Sequence, residues 1–518
     1  MIDYEKSFLK MQNGNDVRGA AIATEKEAVT ITPEIAAFVA DAFADYVAGV
    51  QSCPRKNLKI GIGRDSRISG PSMSEGCIRG LWGVQVFQCG MTSTPAMFQS
   101  TVLSESDFDA AIMITASHLP FNRSGMKFFT REGSLTKNAL TGILNNAAAK
   151  AQEQAAQQEE IVYQAPKDAE YTIKEFDLVD LYCRHMQEII LRETGCAQGE
   201  KPLAGLHIVV DAGNGAAGFF PGGILEPLGA DVSGSVYLEP DGMFPNHVPN
   251  PENAAAMDAI CAAVLAAKAD LGVIFDCDGD RGAVVLADGT EVNRNTLIAM
   301  LAAIVSEKCP GSVVVTDSVT SDELAVFLEE ELGMKHLRFK RGYKNVIDKG
   351  IELNQNGQEC ELAIETSGHG AFRENYFSDD GAYLSVKIIS RLAVMRREGR
   401  DISELIANLK QPAEAEEIRF DIVDDPDDSR DFKEYGSQVL EALNEFARQQ
   451  DGMKIVEPNY EGVRIAFDDE QVKGWMLLRK SLHDPVMPMN VESAQPGGVK
   501  VILSRMKPFF DTYGRLKA

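Results

Sequence analysis

No stretch of this sequence approaches the roughly 18 consecutive apolar residues of a membrane-spanning helix. The N-terminal segment, with Asp3, Glu5, Lys6, Lys10 and Asp16, lacks the apolar run of a secretory signal. A membrane span and a signal peptide are therefore not expected, and the cytoplasm is the expected compartment. Positive charge is also short: 51 Lys and Arg stand against 77 Asp and Glu, a formal net charge of -26. Such a field repels nucleic-acid phosphates and anionic membranes, and no strongly basic patch offsets it, so neither partner is expected. The same field opposes anionic substrates, so a phosphate ligand requires a locally basic cleft. The nine scattered cysteines include no C-x-x-C pair, which suits reduced thiols better than a disulfide framework or a zinc site.

What is present is an ordinary globular composition, 44% hydrophobic and 25% charged, over 518 residues, enough for several domains with ample core. Short apolar runs at 58–63, 84–87 and 109–114 read as strands, with a helix-like stretch over 72–83, and predict a βαβ layout with a mainly parallel sheet. An Ala/Gln/Glu-rich stretch over 145–160 reads as a solvated helix. The pattern restarts at 206–210, runs through a helical 254–268 to a strand at 271–275, and restarts again at 313–316. Gln411-Pro412-Ala413-Glu414 reads as a linker, and beyond it the strand-like 462–467 and 474–479 suit an α+β domain.

Four polar loops follow apolar strands. In Thr115-Ala116-Ser117-His118-Leu119-Pro120 a serine stands beside an imidazole, with Lys127 beyond a turn expected at 122–125. Strand ends are where open α/β sheets place ligands. An unactivated hydroxyl is a weak nucleophile, so His118 and Lys127 are candidate managers of proton and charge; an ordinary polar turn is the alternative. Asp276-Cys277-Asp278-Gly279-Asp280-Arg281 offers three carboxylates at alternate positions to one hard cation. An EF-hand beginning at Asp276 would need glutamate where Ala287 stands, so that geometry is disfavoured. Glu365-Thr366-Ser367-Gly368-His369-Gly370, followed by Ser378-Asp379-Asp380-Gly381, suits hydrogen bonding to sugar hydroxyls, or a capped helix start. Arg479-Lys480-Ser481-Leu482-His483-Asp484 groups cations and a hydroxyl that suit phosphate, or form a surface cluster. Gly213-Asn214-Gly215-Ala216-Ala217-Gly218 satisfies the dinucleotide fingerprint formally, but Pro221-Gly222-Gly223 interrupts the helix it needs, so a tight packing turn is expected.

In this order, and with Asp16-Val17-Arg18-Gly19 and Gly63-Arg64-Asp65-Ser66-Arg67-Ile68-Ser69-Gly70, these loops resemble the alpha-D-phosphohexomutase superfamily, especially its phosphoglucomutase/phosphomannomutase members, over nearly the whole chain. The resemblance implies three successive α/β domains with mixed sheets and a C-terminal α+β domain around a central cleft. The expected domains are 1–165 with the phosphoserine loop, 166–308 with the metal loop, 309–411 with the sugar loop and 412–518 with the phosphate loop. It implies phosphorylation of Ser117 and Mg2+ held by Asp276, Asp278, Asp280 and the phosphoserine. Arg18, Lys127 and Arg281 would surround the phosphoryl, with His118 and Lys127 assisting proton transfer. Glu365, Ser367 and His369 would read sugar hydroxyls, and Arg479, Ser481 and His483 would hold the non-reacting phosphate.

The implied reaction interconverts hexose 1-phosphate and hexose 6-phosphate through a hexose 1,6-bisphosphate, which also acts as activator. Dual use of glucose and mannose phosphates is the preferred reading. Phosphoglucosamine mutase and glucose-1,6-bisphosphate synthase are the alternatives, and a metal-dependent sugar phosphatase is the competitor from another class. A monomer or homodimer is expected. The departures from the family pattern, Leu119 in place of asparagine and Leu482-His483-Asp484 in place of a Gly-Thr-Glu run, bear on substrate preference.

Overall fold

A computed structural model describes residues 3–155, 162–426, 428–481 and 484–517. These form two compact units, one of residues 1–293, 367–371 and 375–402, the other of residues 294–366, 372–374 and 403–518.

The first sheet of the first unit runs in the order Gln12–Asn13, Asp16–Ala20, Arg123–Thr130, Ala110–Ile114, Lys59–Arg64, Gln85–Met91 and Thr172–Glu175. The last four are parallel, as the βαβ reading expects. Arg123–Thr130 instead pairs antiparallel with Ala110–Ile114, making the sheet mixed. The physical reason is the short connection over 115–122: a few residues close a hairpin but cannot make a parallel crossover. That connection carries Ser117. It also corrects the expected turn at 122–125, because the strand begins at Arg123 and Gly125 pairs with Arg18. A Cβ on Gly125 would lie 2.1 Å from the Val17 carbonyl oxygen, so a side chain there would push the two strands apart.

Two long helices cover this sheet. Pro33–Gln51 starts at a Thr32 hydroxyl that accepts from the Ile35 amide, with Pro33 in the first turn. Lys137–Ala155 buries Leu140, Ile143, Leu144, Ala147, Ala148 and Ala151 in the same core. That spacing marks one apolar helix face: over 145–155 the expected surface helix is present with residues 145, 146, 149, 152 and 153 exposed, but Ala147, Ala148 and Ala151 are buried; residues 156–160 lie outside the described ones. Glutamine, glutamate and asparagine give the stretch its polar look, while the small alanines between them pack closely enough to form the buried face.

A second sheet in this unit orders Glu291–Val292, Gly282–Leu286, Leu271–Phe275 and Ile208–Asp211. The helix Ala254–Ala267, capped by the Asn253 side chain on the Ala256 amide, packs on it. The glycine-rich segment after Ile208–Asp211 turns tightly, but the expected interruption at Pro221-Gly222-Gly223 is not there: helical backbone runs without a break from Ala216–Gly218 through Pro221–Leu225 to Glu226–Leu228, because the ladder widens to π-type bonding at the proline.

In the second unit, Lys335–Arg338, Val313–Thr316 and Cys360–Ile364 are parallel neighbours. The C-terminal sheet orders Met453–Ile455, Val463–Asp468, Lys473–Leu478, Val486–Ser493, Glu414–Ile422 and Leu516–Lys517, antiparallel throughout. The helices Phe432–Arg448 and Gly498–Phe510 share its core. Arg464 is buried against the Trp475 ring, 3.6 Å from its centroid, and donates to the Ser318 and Thr320 carbonyls. No helix among the described residues is long and apolar enough to cross a membrane.

Candidate active site

Ser117 sits at φ +52, a left-handed backbone uncommon for a residue with a side chain. Its amide donates to the Thr115 hydroxyl at 2.8 Å. Its own hydroxyl donates to Asp276 Oδ2 at 3.2 Å and lies 3.3 Å from His118 Nδ1. The loop therefore presents the serine oxygen to the strand end that carries the aspartates. Arg281 donates to the same His118 nitrogen at 3.0 Å, which assigns Nδ1 as acceptor and the ring proton to Nε2. Burial, reinforced by Arg281, pushes the His118 pKa down to about 3, so the ring is neutral at pH 7.

Asp276, Asp278 and Asp280 are buried, with one oxygen from each lying within 4.8 Å of the others. Gly279, at φ +74, supplies the turn that brings alternate side chains together. Burial pushes the Asp276 carboxyl well above the carboxylate range, with Asp280 and Asp278 adding repulsion. Burial opposes ionisation of Asp278 and Asp280 too, and Asp280 repels Asp278, but Lys127 acting with the Thr94 hydroxyl and Arg18 at Asp278, and with His369 and Arg281 at Asp280, holds both below the usual range. Lys127 Nζ lies 3.0 Å from Asp278 and bonds to Asp280. Asp278 Oδ1 and Asp280 Oδ1 are buried without hydrogen-bond partners. An oxygen-only set with orphaned carboxylate oxygens fits a hard divalent cation, and the EF-hand alternative stays excluded by the loop's short span.

Arg18, on Asp16–Ala20, donates to the Thr115 carbonyl at 3.1 Å and to Asp16 at 2.8 Å, which places it beside the serine loop. Ser367 and His369 are buried in the same unit, and His369 pairs with Arg281 in a single β-bridge. His369 Nδ1 bonds to Asp379 and lies 3.9 Å from Asp280. Burial disfavours the imidazolium, yet Asp379 raises the His369 pKa above its ordinary value.

The remaining predicted residues belong to the second unit. Glu365 accepts from the Gly342 amide, and Ser481 Oγ accepts from the Asp484 amide at 3.2 Å. Arg479 is largely desolvated, which lowers its pKa, and Arg341 repels it further. Lys480 turns away, donating to Ser437 at 2.6 Å, so the second cation of this basic cluster is Arg341. Burial and Glu365 push Asp317 up to about 7, while Thr366 donates to it at 2.7 Å. His483 lies outside the described residues.

Besides Arg341, three participants, all in the first unit, had no individual role assigned from the sequence. Thr94 donates to Asp278 Oδ2 at 2.5 Å from the start of a short helix, and nothing local in its sequence marks it. Glu252 meets Arg281 at 3.2 Å. Asp379 was visible in the Ser378 to Gly381 run, but its partner was not.

A seryl hydroxyl and a three-carboxylate cation pocket at neighbouring strand ends of successive α/β sheets define a class of phosphoryl-handling protein. The chain belongs to the phosphoglucomutase/phosphomannomutase family: the alpha/beta/alpha domains I, II and III of that family match residues 10–155, 180–289 and 293–412. It is 28% identical over 489 residues to a phosphoglucomutase from Neisseria gonorrhoeae, covering 93% of this chain and 94% of that one. It is 28% identical over 467 residues to a phosphomannomutase/phosphoglucomutase from Pseudomonas aeruginosa, covering 90% and 89%. A crystal structure of a phosphoglucomutase/phosphomannomutase family protein from Burkholderia thailandensis matches with a TM-score of 0.75 at 25% identity, covering 100% of both chains.

Proposed function

We propose that the protein is an intramolecular phosphotransferase that interconverts hexose 1-phosphate and hexose 6-phosphate, accepts both glucose and mannose, and carries the phosphoryl on Ser117. The observation that carries this reading is the serine hydroxyl bonded to Asp276 at the mouth of the carboxylate trio. The family relatives named for both sugars support it.

Phosphoserine would pass its phosphoryl to a free hydroxyl of the hexose monophosphate: the seryl O–P bond breaks, the sugar O–P bond forms, and the proton given up by the sugar hydroxyl is matched by one taken up at the seryl oxygen as Ser117 regains its hydroxyl. The resulting 1,6-bisphosphate then returns its other phosphoryl to Ser117. Asp276, Asp278 and Asp280, joined by the phosphoserine, would hold Mg2+, which supplies charge neutralisation for the transferring phosphoryl. Lys127, ion-paired with Asp278 and Asp280, supplies fixed positive charge beside the phosphoryl. Neutral His118 accepts from Arg281 and so aligns serine and guanidinium side by side. Arg18 completes the positive surround. Ser367 and Glu365 hydrogen-bond sugar hydroxyls, and His369, with Nδ1 held by Asp379, meets a hydroxyl through Nε2 and takes its proton. Arg479, Ser481 and His483 hold the phosphate that does not react, and Arg341 adds to their positive field. The nine unpaired thiols support a reducing compartment, in keeping with the cytoplasm.

The test is turnover of glucose 1-phosphate, mannose 1-phosphate and glucosamine 1-phosphate with Mg2+ and trace hexose 1,6-bisphosphate, with free phosphate followed in parallel. The reading expects conversion of the glucose and mannose phosphates without phosphate release. Conversion of glucosamine phosphate alone contradicts the sugar assignment, and phosphate release without isomerisation contradicts the mutase.

A further inference from the structure

The Gly63 to Gly70 motif lies in the first unit, yet the mechanism above gives none of its residues a role. Its Arg67 is among the largest fully buried side chains, 1% exposed. Its Nε donates to Asp65 Oδ2 at 3.2 Å. One terminal nitrogen donates to the carbonyls of Pro120 at 2.8 Å and Arg123 at 3.0 Å. The other donates to the carbonyl of Leu119 at 2.7 Å and to that of Ser117 itself. A guanidinium has five N–H donors in one plane, and here all five are used. Four of the five acceptors are backbone carbonyls, three in the hairpin connection that carries the serine and the fourth at Arg123, the first residue of the strand that follows it.

Carbonyls of one short segment repel one another when they converge, and a left-handed residue such as Ser117 is disfavoured in a free chain. A planar cation at their focus reverses the first effect and offsets the second. The other end of the arginine's fork is tied as well. Asp65 Oδ1 accepts from the Arg67 amide at 3.0 Å, and Asp65 Oδ2 accepts from the Cys277 thiol at 3.4 Å. Cys277 stands between Asp276 and Asp278, so one buried carboxylate joins the arginine that shapes the serine loop to the backbone that presents the aspartates. The glycine-rich turn supports that backbone from the other side: the Ala216 amide donates to the Cys277 carbonyl at 2.8 Å, and a Cβ on Gly215 would lie 2.5 Å from the same oxygen.

We infer that Arg67 is a positioning residue for phosphoryl transfer, setting the serine loop in register with the carboxylate trio through its fork of carbonyl contacts and through Asp65. It touches the Ser117 carbonyl, not the hydroxyl, so it acts through the loop. The inference rests on the reading of Ser117 as phosphoryl carrier. Lysine keeps the charge but has three donors and no plane, so Arg67→Lys removes the fork while leaving a buried cation beside Asp65.

The experiment compares wild type, Arg67→Lys and Arg67→Ala in steady-state turnover of glucose 1-phosphate, thermal midpoint, and phosphoryl occupancy of Ser117 by intact mass after incubation with glucose 1,6-bisphosphate. A serine displaced by about 1 Å loses on the order of 10- to 100-fold in rate, so Arg67→Lys is expected to lose that factor in kcat with KM changed less than about threefold. Added guanidinium is expected to restore part of the turnover of Arg67→Ala, which a general loss of folded protein does not allow. Arg67→Lys with kcat within about threefold of wild type overturns the inference, as does a kcat loss that tracks the thermal midpoint with no guanidinium rescue. A wild type without phosphoryl on Ser117 overturns the functional reading, and this inference with it; a phosphorylated wild type with an unaffected lysine variant overturns this inference alone.

Discussion

Asp276, Asp278 and Asp280 end a strand of the first unit and meet Lys127 and Arg281, whereas in the second unit Arg479 and Arg341 end strands and loops near Asp317 and Glu461. In the first unit the carboxylates are in excess: two of their oxygens are buried without partners even with the lysine in place. In the second, two guanidinium groups lie close enough to repel each other, and one of the nearby carboxyls, Asp317, has its pKa pushed up to about 7, which removes part of its charge at neutral pH. The first arrangement calls for a cation, and the second calls for an anion. A chain with net charge -26 can therefore still hold a phosphate ester, because the field is reversed locally where burial holds cations together and protonation weakens their partners.

The comparison breaks first at Asp278. Asp278→Asn leaves the side-chain volume and removes one charge from the trio, and divalent-metal affinity is expected to fall by about two orders of magnitude or more, with turnover falling alongside. Titration calorimetry with Mg2+ or Mn2+ checks the binding separately from activity, and unchanged affinity would show that the trio is not the metal pocket.

Arg479→Ala sharpens the contrast with a smaller effect of another kind. A charged hydrogen bond to phosphate contributes about 1.5–3 kcal/mol, so KM for hexose monophosphate is expected to rise about 10- to 100-fold while metal affinity stays at the wild-type value. Steady-state kinetics on glucose 1-phosphate checks it. A fall in kcat without a change in KM would assign Arg479 to the transfer step instead.

Much of this was legible before the fold. Leu271–Phe275 and Val313–Thr316 have the expected bounds because buried parallel strands are nearly continuous apolar runs closed by polar residues. The aspartate loop was readable because alternate acidic residues with a glycine at a strand end have little other use. The buried face of Lys137–Ala155 was hidden in its C-terminal half, where it is made of alanines, too small to mark a core-facing stripe among the polar residues around them. The role of Arg67 was hidden for a different reason: its partners are carbonyls, which every residue has, and a sequence does not say which ones converge. Arg341 and Thr94 were missed because their contacts join segments far apart in the chain.

The central claim is that Ser117 carries the phosphoryl group. Its most direct test is intact-mass and peptide-level analysis of the protein after incubation with glucose 1,6-bisphosphate and Mg2+, beside Ser117→Ala. The account predicts a single phosphoryl on Ser117, lost on addition of excess hexose monophosphate as the bisphosphate forms, and a variant with neither the modification nor mutase activity. Full mutase activity in Ser117→Ala, or a phosphoryl group on another residue that turns over at the catalytic rate, would contradict it.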